Sequence, residues 1–212
     1  EMLTRDWSSD VCSSDLMFCY QCQETAGGKG CSTVGVCGKK PEVAVAQDFL
    51  VWHTKGVSWV TTKLRNIGKE VSKEVNRLVT YNLFVTITNA NFDLEAINER
   101  IEKTIDIKEK LLQELVNISG APEAALDLNR DRNYWADKGK AVGVLSTENE
   151  DIRSLRELIT YGVKGLSAYS KHANVLFADD EEVDEFIQDA LAALLARKST
   201  RLNSSHALAS RM

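Results

Sequence analysis

The chain has 212 residues, of which 43% are hydrophobic, enough for one or two compact domains with a sizeable core. Its formal net charge of -5 argues against a nucleic acid partner, although a local basic patch could still exist. No run of about 18 apolar residues occurs, so we expect no membrane-spanning segment. Only 2 prolines occur and helix-forming residues are frequent, which predicts an all-α fold.

Both ends of the chain differ in character from its middle. Residues 1–16 are rich in Ser and Asp, show no clear period, and lack the charged start and apolar middle of a secretory signal. The tail of residues 198–212 has the same foreign character. We therefore expect two non-native flanks, assign no native role to Cys12 or His206, and expect a cytoplasmic protein.

Four of the 5 cysteines lie close together in residues 17–40, with the spacing C-x2-C-x8-C-x5-C. Thiolates at this spacing can converge on a tetrahedral zinc ion or on the irons of a cubane cluster, because both need a tight turn between ligands. The four candidate ligands are Cys19, Cys22, Cys31 and Cys37. Five glycines can supply such turns and let backbone N–H groups approach sulfur, namely Gly27, Gly28, Gly30, Gly35 and Gly38.

The spacing alone leaves four kinds of site to compare. An iron–sulfur cluster is favoured over zinc in a helical interaction module, because the usual zinc ribbon has two C-x-x-C pairs and only Cys19–Cys22 is present. A thiol redox sensor is disfavoured, since no strand–helix–strand pattern surrounds that pair. Structural disulfides are least expected in a chain that can build its own core. Three lysines would offset the negative charge of a cluster if they face it, namely Lys29, Lys39 and Lys40.

Apolar residues recur at helical spacing through residues 41–118, beyond the cysteines. Pro41 stands where a helix can begin, and Gly68 is the expected end of that helix. A second helix is predicted over residues 71–88, apolar over so wide an arc that it should lie in the middle of a bundle. Asp93 is the expected N-cap of a third helix. Three antiparallel helices with short connections predict a first bundle.

The second half of the chain predicts a further, incomplete bundle. Residues 119–146 are the least regular interior region and are interpreted as a connector. Thr147 and Glu150 have capping-box spacing and predict the start of a long helix. A last helix is predicted after the acidic pair Asp179–Asp180. These two helices would form a bundle over residues 147–197 that lacks a full set of partners.

Several other polar and aromatic residues are not expected to bind a metal. His53 and His172 lie on predicted apolar stripes, and we interpret both as core histidines rather than ligands. Trp52, Trp59 and Trp135 are interpreted as packing residues. Four polar residues that flank the cysteines are expected to order the loop through hydrogen bonds, namely Gln21, Gln23, Glu24 and Thr25.

Three segments around the cysteines resemble the amino terminus of the hybrid-cluster proteins, also called prismane proteins or hydroxylamine reductases. These segments are Met17-Phe-Cys-Tyr-Gln-Cys-Gln-Glu-Thr25, Gly30-Cys31 and Gly35-Val-Cys-Gly-Lys39. The resemblance continues through Glu74-Val-Asn-Arg77, Thr86-Ile-Thr-Asn-Ala-Asn-Phe92, the stretch from Val144 to Leu158, and Tyr161-Gly-Val-Lys-Gly165. It covers about residues 17–195.

The resemblance implies that the four clustered cysteines bind a proximal [4Fe-4S] cluster, since their spacing is similar to the branch with a cubane rather than a [2Fe-2S] centre. It implies a parent enzyme that takes electrons from a donor protein and reduces hydroxylamine to ammonia, with a link to nitric oxide and nitrosative stress. Substrate would bind at a second, hybrid iron–sulfur–oxygen cluster held by later domains. No cysteine follows Cys37. We therefore expect this chain to relay electrons, to hold no catalytic residue, and to depend on missing C-terminal domains.

Overall fold

The computed structural model describes residues 16–22, 24–87 and 90–195. Within these ranges the protein is helical, with one isolated antiparallel bridge and no longer strand, so the predicted all-α fold is confirmed. The helices are α1 (Pro41–Asn66), α2 (Lys73–Val85), α3 (Leu94–Gln113), α4 (Glu123–Leu126), α5 (Arg132–Val142), α6 (Glu150–Val175) and α7 (Glu181–Ala193). No helix in these ranges combines the length and apolar character that crossing a membrane requires.

Four predicted helix boundaries are confirmed. Helix α1 begins at Pro41 and ends just before Gly68, whose φ of 77° suits a residue without a Cβ. Helix α3 follows Asp93, whose carboxylate accepts hydrogen bonds of 2.9 and 3.2 Å from two backbone N–H groups of the first turn. Helix α7 follows Asp180, which caps its first turn in the same way.

The predicted start of α6 is wrong in its capping residue. Asn149, not Thr147, is the N-cap, and its side-chain oxygen accepts a 3.0 Å hydrogen bond from the N–H of Ile152. The Thr147 hydroxyl instead accepts a 3.0 Å hydrogen bond from Arg156. Asn149 takes the cap because it directly precedes the first helical residue with extended backbone angles, from which its short side chain reaches the third N–H.

The region interpreted as a connector contains α4 and α5, and α5 packs against α1. Trp135 is buried in α5, and its ring centroid lies 6.1 Å from that of Phe49 in α1. Gly139 permits the close approach, because a Cβ there would lie 2.6 Å from Val45. The glycine that weakens the apolar pattern of this segment is thus also the residue that lets its helix dock.

Helices from both predicted bundles contribute to one apolar cluster. Val60 and Leu64 of α1 pack in the same cluster as Ile187 and Leu191 of α7, and all four side chains are buried. Helix α2 packs mainly against α6. The apolar stripe of α7 therefore finds its partner on α1, at the centre of the molecule.

The histidines and tryptophans have different environments. His53 is fully buried, with Nδ1 2.6 Å from Nζ of Lys108, which confirms it as a core residue. The core interpretation of His172 is wrong, because the last turns of α6 are poorly covered and this side chain is exposed beside the ring of Phe84. The predicted packing role is confirmed for the three tryptophans, Trp52, Trp59 and Trp135.

Candidate metal centre

The segment of residues 17–40, here called the cysteine loop, folds back on itself at Cys19 and Cys31. These two residues exchange backbone N–H···O hydrogen bonds of 3.0 and 2.8 Å and form the antiparallel bridge. Thr25 lies at the turn between them, where its hydroxyl donates to the carbonyl oxygen of Cys19 at 3.2 Å and lies 3.8 Å from Sγ of Cys31. Two of the four thiols are thus carried by one hydrogen-bonded frame.

Two glycines of the cysteine loop are closely packed. Gly30 has a φ of 131°, and a Cβ on it would lie 2.6 Å from the ring of Phe18. Gly35 donates a 2.8 Å backbone hydrogen bond to Lys39, and a Cβ there would lie 3.0 Å from Sγ of Cys37. A side chain at position 30 would therefore displace the Phe18 ring, whereas one at position 35 would require Cys37 and Lys39 to shift by a few tenths of an ångström.

The four thiols differ in burial and are all free. Cys31 is buried, whereas Cys19, Cys22 and Cys37 are half-buried. Among the described residues, no three Cys, His, Asp or Glu side chains stand in an arrangement that could hold a metal ion. The structure therefore brings the backbones of Cys19 and Cys31 together without closing the four thiols around one ion, and the ligand set stays a prediction.

The surroundings of the thiols provide both burial and compensating charge. Burial raises the pKa of the Cys19 thiol, against the opposing effects of Lys39 and of the backbone N–H of Gln21. Burial also acts to raise the pKa of Cys31, but the backbone N–H groups of Val36 and Ala26, the Thr25 hydroxyl and Lys39 together outweigh it, and that pKa is lowered. The loop therefore favours negative charge on the sulfur of Cys31.

Among the lysines expected to offset a cluster charge, one is buried beside the cysteines. Lys39 is 1% exposed, and its Nζ lies 5.9 Å from the centre of the Phe92 ring. Lys29 and Lys40 are exposed. In chemical terms the donor set fits an iron–sulfur cluster, because soft thiols, N–H groups on sulfur and a buried cation occur in one loop.

The predicted ordering role of the flanking polar residues is confirmed for Thr25, as described above, and for Gln21. The Gln21 amide, oriented so that both its polar atoms are paired, donates to the carbonyl of Thr86 and accepts from Nζ of Lys164, each at 3.0 Å. Glu24 is exposed. Gln23 lies outside the described residues.

A cleft of about 1120 Å³ opens beside the cysteine loop, between α1 and α6. Cys19 and Cys22 line it on the loop side, and Leu194 and Leu195 line it at the end of the described chain. Seven charged side chains also line it, namely Asp48 and Lys55 from α1 and Glu150, Arg153, Arg156, Glu157 and Lys164 from α6. The cleft thus places charged groups of both signs next to the candidate ligands.

Burial shifts the titration of the charged cleft residues. It raises the pKa of Asp48 to about 7 and lowers that of Lys164 to about 8. These charged cleft residues were not among the residues predicted from the sequence. A signal was present, because Asp48 and Lys55 are seven residues apart and therefore share one face of a helix that is otherwise largely apolar.

Comparison with known proteins gives a consistent result. A model of the Prismane/CO dehydrogenase family matches residues 17–210. The match includes most of the segment 198–212 that was predicted to be a non-native tail. The chain is 50% identical to a hydroxylamine reductase of Desulfovibrio desulfuricans over 182 residues, or 86% of this chain and 33% of the relative. It is 49% identical to hydroxylamine reductase 2 of Clostridium acetobutylicum, over 84% of this chain and 36% of the relative.

A third relative repeats this pattern of partial coverage. The hydroxylamine reductase of Acetivibrio thermocellus is 49% identical, over 84% of this chain and 33% of the relative. The chain thus spans about a third of the length of the curated relatives it matches. With a family match over most of its length, the chain belongs to the Prismane/CO dehydrogenase family.

Proposed function

We propose that this chain is the electron-relay part of a hydroxylamine reductase and that its cysteine loop binds a [4Fe-4S] cluster. The ligands in this proposal are the four loop thiols Cys19, Cys22, Cys31 and Cys37. The observation that carries the proposal is the frame in which Cys19 and Cys31 exchange backbone hydrogen bonds of 3.0 and 2.8 Å, while the Cys31 sulfur accepts hydrogen bonds from backbone N–H groups of the same loop. Such N–H···S hydrogen bonds are a usual feature of thiolate-bound clusters.

The residues of the loop have distinct parts in this proposal. When bound, a [4Fe-4S] cluster supplies reversible one-electron transfer. Lys39 offsets negative charge on the sulfurs from its buried position, and Thr25 holds the two strands of the bridge in register. Gln21 fixes the Cys19–Cys22 segment against α2 and α6 through Thr86 and Lys164.

The parent protein in this proposal reduces hydroxylamine to ammonia and water, with nitric oxide as a further substrate under nitrosative stress in the cytoplasm. The relatives bear the name hydroxylamine reductase and are about three times as long as the matched region. The remaining length would hold the hybrid cluster where substrate binds. Because no cysteine follows Cys37 here, we expect this chain by itself to be inactive.

Anaerobic reconstitution of the full 212-residue chain tests the cluster proposal. We expect about four irons and four sulfides per chain, with a broad visible absorption band that bleaches when dithionite is added. Stoichiometric zinc that survives an iron challenge, with no such band, would instead indicate a structural zinc module. Alkylation of the thiols that changes with redox state in the absence of metal would indicate a thiol sensor.

A further inference from the structure

A second groove, of about 610 Å³, lies between α2, α3 and the C-terminal end of α6. Its lining contains five basic residues, Lys73, Arg77, Arg100, Lys103 and Lys171, and one acidic residue, Glu74. This excess of positive charge occurs in a chain whose net charge is -5. We call this surface the basic groove.

Two of the basic residues in the basic groove make contacts within the protein that stabilise its walls. Arg77 binds the carboxylate of Asp179 with two hydrogen bonds of 2.7 Å. Arg100 donates to the side-chain oxygen of Asn82, and its guanidinium lies 4.0 Å from the centre of the Tyr81 ring. These contacts fix the groove and order its floor.

The lysines at the rim are more exposed. The side chain of Lys73 is 80% exposed and its Nζ lies 3.9 Å from Asp179, while that of Lys103 is 55% exposed and lies 3.4 Å from Glu74. The Asp179 side chain is only 12% exposed, but the lysine of each pair is in contact with solvent, where ion pairs are weak and screened by salt. Their positive charge therefore remains available to a negatively charged partner.

An unusual phenylalanine stands at the end of the groove. Helix α6 ends in a Schellman motif, with hydrogen bonds from the N–H groups of Phe177 and Ala178 to the carbonyls of Asn174 and Ala173. Phe177 occupies the position that usually holds glycine, with a φ of 60°, and the residue is 86% exposed. A phenylalanine is unfavourable in this conformation and gains little burial here, so its presence suggests a role in contact with another molecule.

The basic groove is linked to the cysteine loop by α2. Tyr81 lines the groove and stacks on Phe84, with ring centroids 6.2 Å apart. At the end of the same helix, the carbonyl of Thr86 accepts the hydrogen bond from Gln21 of the loop. From Tyr81 to Thr86 the helix advances only about 7.5 Å.

We propose that the basic groove docks a small acidic electron-carrier protein that supplies the cysteine loop, an inference that rests on the proposed function. Carboxylates around the carrier's redox centre would face the groove lysines, and Phe177 would provide an apolar anchor. In the encounter the carrier gives up one electron, which the cluster takes up, and no bond forms or breaks. Such charge pairing mainly raises the rate of association and makes it sensitive to salt.

Binding titrations with two acidic probes, a flavodoxin and a [4Fe-4S] ferredoxin, test this proposal on the full chain. We expect binding at low salt that weakens steeply towards physiological ionic strength. The double variant Lys73→Gln/Lys103→Gln should weaken it by about tenfold. The matched double variant Lys110→Gln/Lys140→Gln, which removes the same charge from exposed positions elsewhere, should leave affinity unchanged.

The variant Phe177→Gly distinguishes a role of this side chain in docking from a role in stability. Glycine suits the left-handed conformation, so this variant should raise the melting temperature while it weakens probe binding. Absence of salt-sensitive binding for both probes, or equal losses in the groove and control variants, would overturn the proposal. Docking is measured without a cluster, so a failure of docking and a failure of cluster reconstitution give separate results.

Discussion

Lys108 and His53 form a buried polar contact that no sequence pattern indicated. Both side chains are fully buried, and Nζ of Lys108 lies 2.6 Å from Nδ1 of His53 and 2.7 Å from the carbonyl oxygen of Ala124. Burial lowers the pKa of both groups, and that of Lys108 falls to about 7. The contact joins α1, α3 and α4, and burial there makes the charged form of the lysine less stable.

This contact predicts an unusual pH dependence of stability. The folded-state pKa of Lys108 lies below its unfolded value near 10.4, so the unfolded state binds more protons above pH 7. The contribution of Lys108 to the free energy of unfolding should therefore increase from pH 7 to pH 9, with a slope of at most about 1.4 kcal/mol per pH unit. Urea unfolding of the parent chain and of Lys108→Met, at a series of pH values, measures this slope.

Lys108→Met should flatten the slope, because methionine cannot titrate and keeps the side-chain volume. Lys110→Met, on the exposed side of the same helix, should retain the parental slope. Parallel curves for the parent and Lys108→Met would show that the buried amine does not control stability in this range.

Gly30 and Gly38 provide a matched test of the cysteine loop. Both have positive φ, at 131° and 89°, but only at Gly30 would a Cβ collide with the ring of Phe18. We expect Gly30→Ala to lower the free energy of unfolding by about 1–3 kcal/mol and to reduce iron uptake. Gly38→Ala should lower the free energy of unfolding by a smaller amount. Chemical unfolding and iron content of reconstituted protein check this order, and a larger effect at Gly38 would contradict it.

At the scale of helices, Gly56 permits the close contact of α1 with α4. A Cβ on Gly56 of α1 would collide with the carbonyl oxygen of Ala124, whereas Gly162 of α6 has open space around the same position. Gly56→Ala should therefore be destabilising by about 2 kcal/mol or more. Gly162→Ala should be stabilising by up to about 1 kcal/mol, because alanine is the better helix former. Thermal unfolding of both variants distinguishes the two, and equal shifts would refute the close packing of α1 and α4.

Helix boundaries were predicted correctly where a residue type has a strong preference for one position at a helix end. Asp93 and Asp180 are caps, and Gly68 follows a helix end, because short acidic side chains and positive-φ glycines have strong local preferences. It failed at Thr147, where a neighbouring Asn149 competed for the same cap. Helix α5 escaped notice, because its apolar surface is limited to a few aromatic residues such as Trp135 that find their partners on α1.

For the whole molecule, α7 is the element whose partners the sequence could not specify. Thr62 and Arg65 of α1 donate hydrogen bonds of 2.7 and 2.9 Å to Asp189 and Gln188 of α7, although the residues of each pair lie more than 100 positions apart. Periodicity identifies an apolar face but not the helix that covers it. Docking of α7 on α1 also brings Leu194 and Leu195 to the cleft beside the cysteine loop.

In the candidate site, too, residues close in sequence were predictable, whereas residues brought together by helix packing were not. The ligand candidates, the loop glycines and Thr25 are close in sequence, and their spacing was enough to identify them. Asp48 and Lys164 reach the cleft from helices that are far apart in the chain, so their proximity to Cys19 depends on the packing of α1 and α6. Lys39 was named for its charge, but only the structure shows that it is buried.

The most direct test is the metal and sulfide content of the anaerobically purified full chain, compared with serine variants of each loop cysteine. We expect about four irons with matching sulfide in the parent, and loss of most of both in Cys19→Ser, Cys22→Ser, Cys31→Ser and Cys37→Ser. Cys12→Ser should keep the parental content, because Cys12 lies outside the loop. Full iron retention in any of the four loop variants, or zinc in place of iron in the parent, would contradict the assignment of this loop as a cluster site.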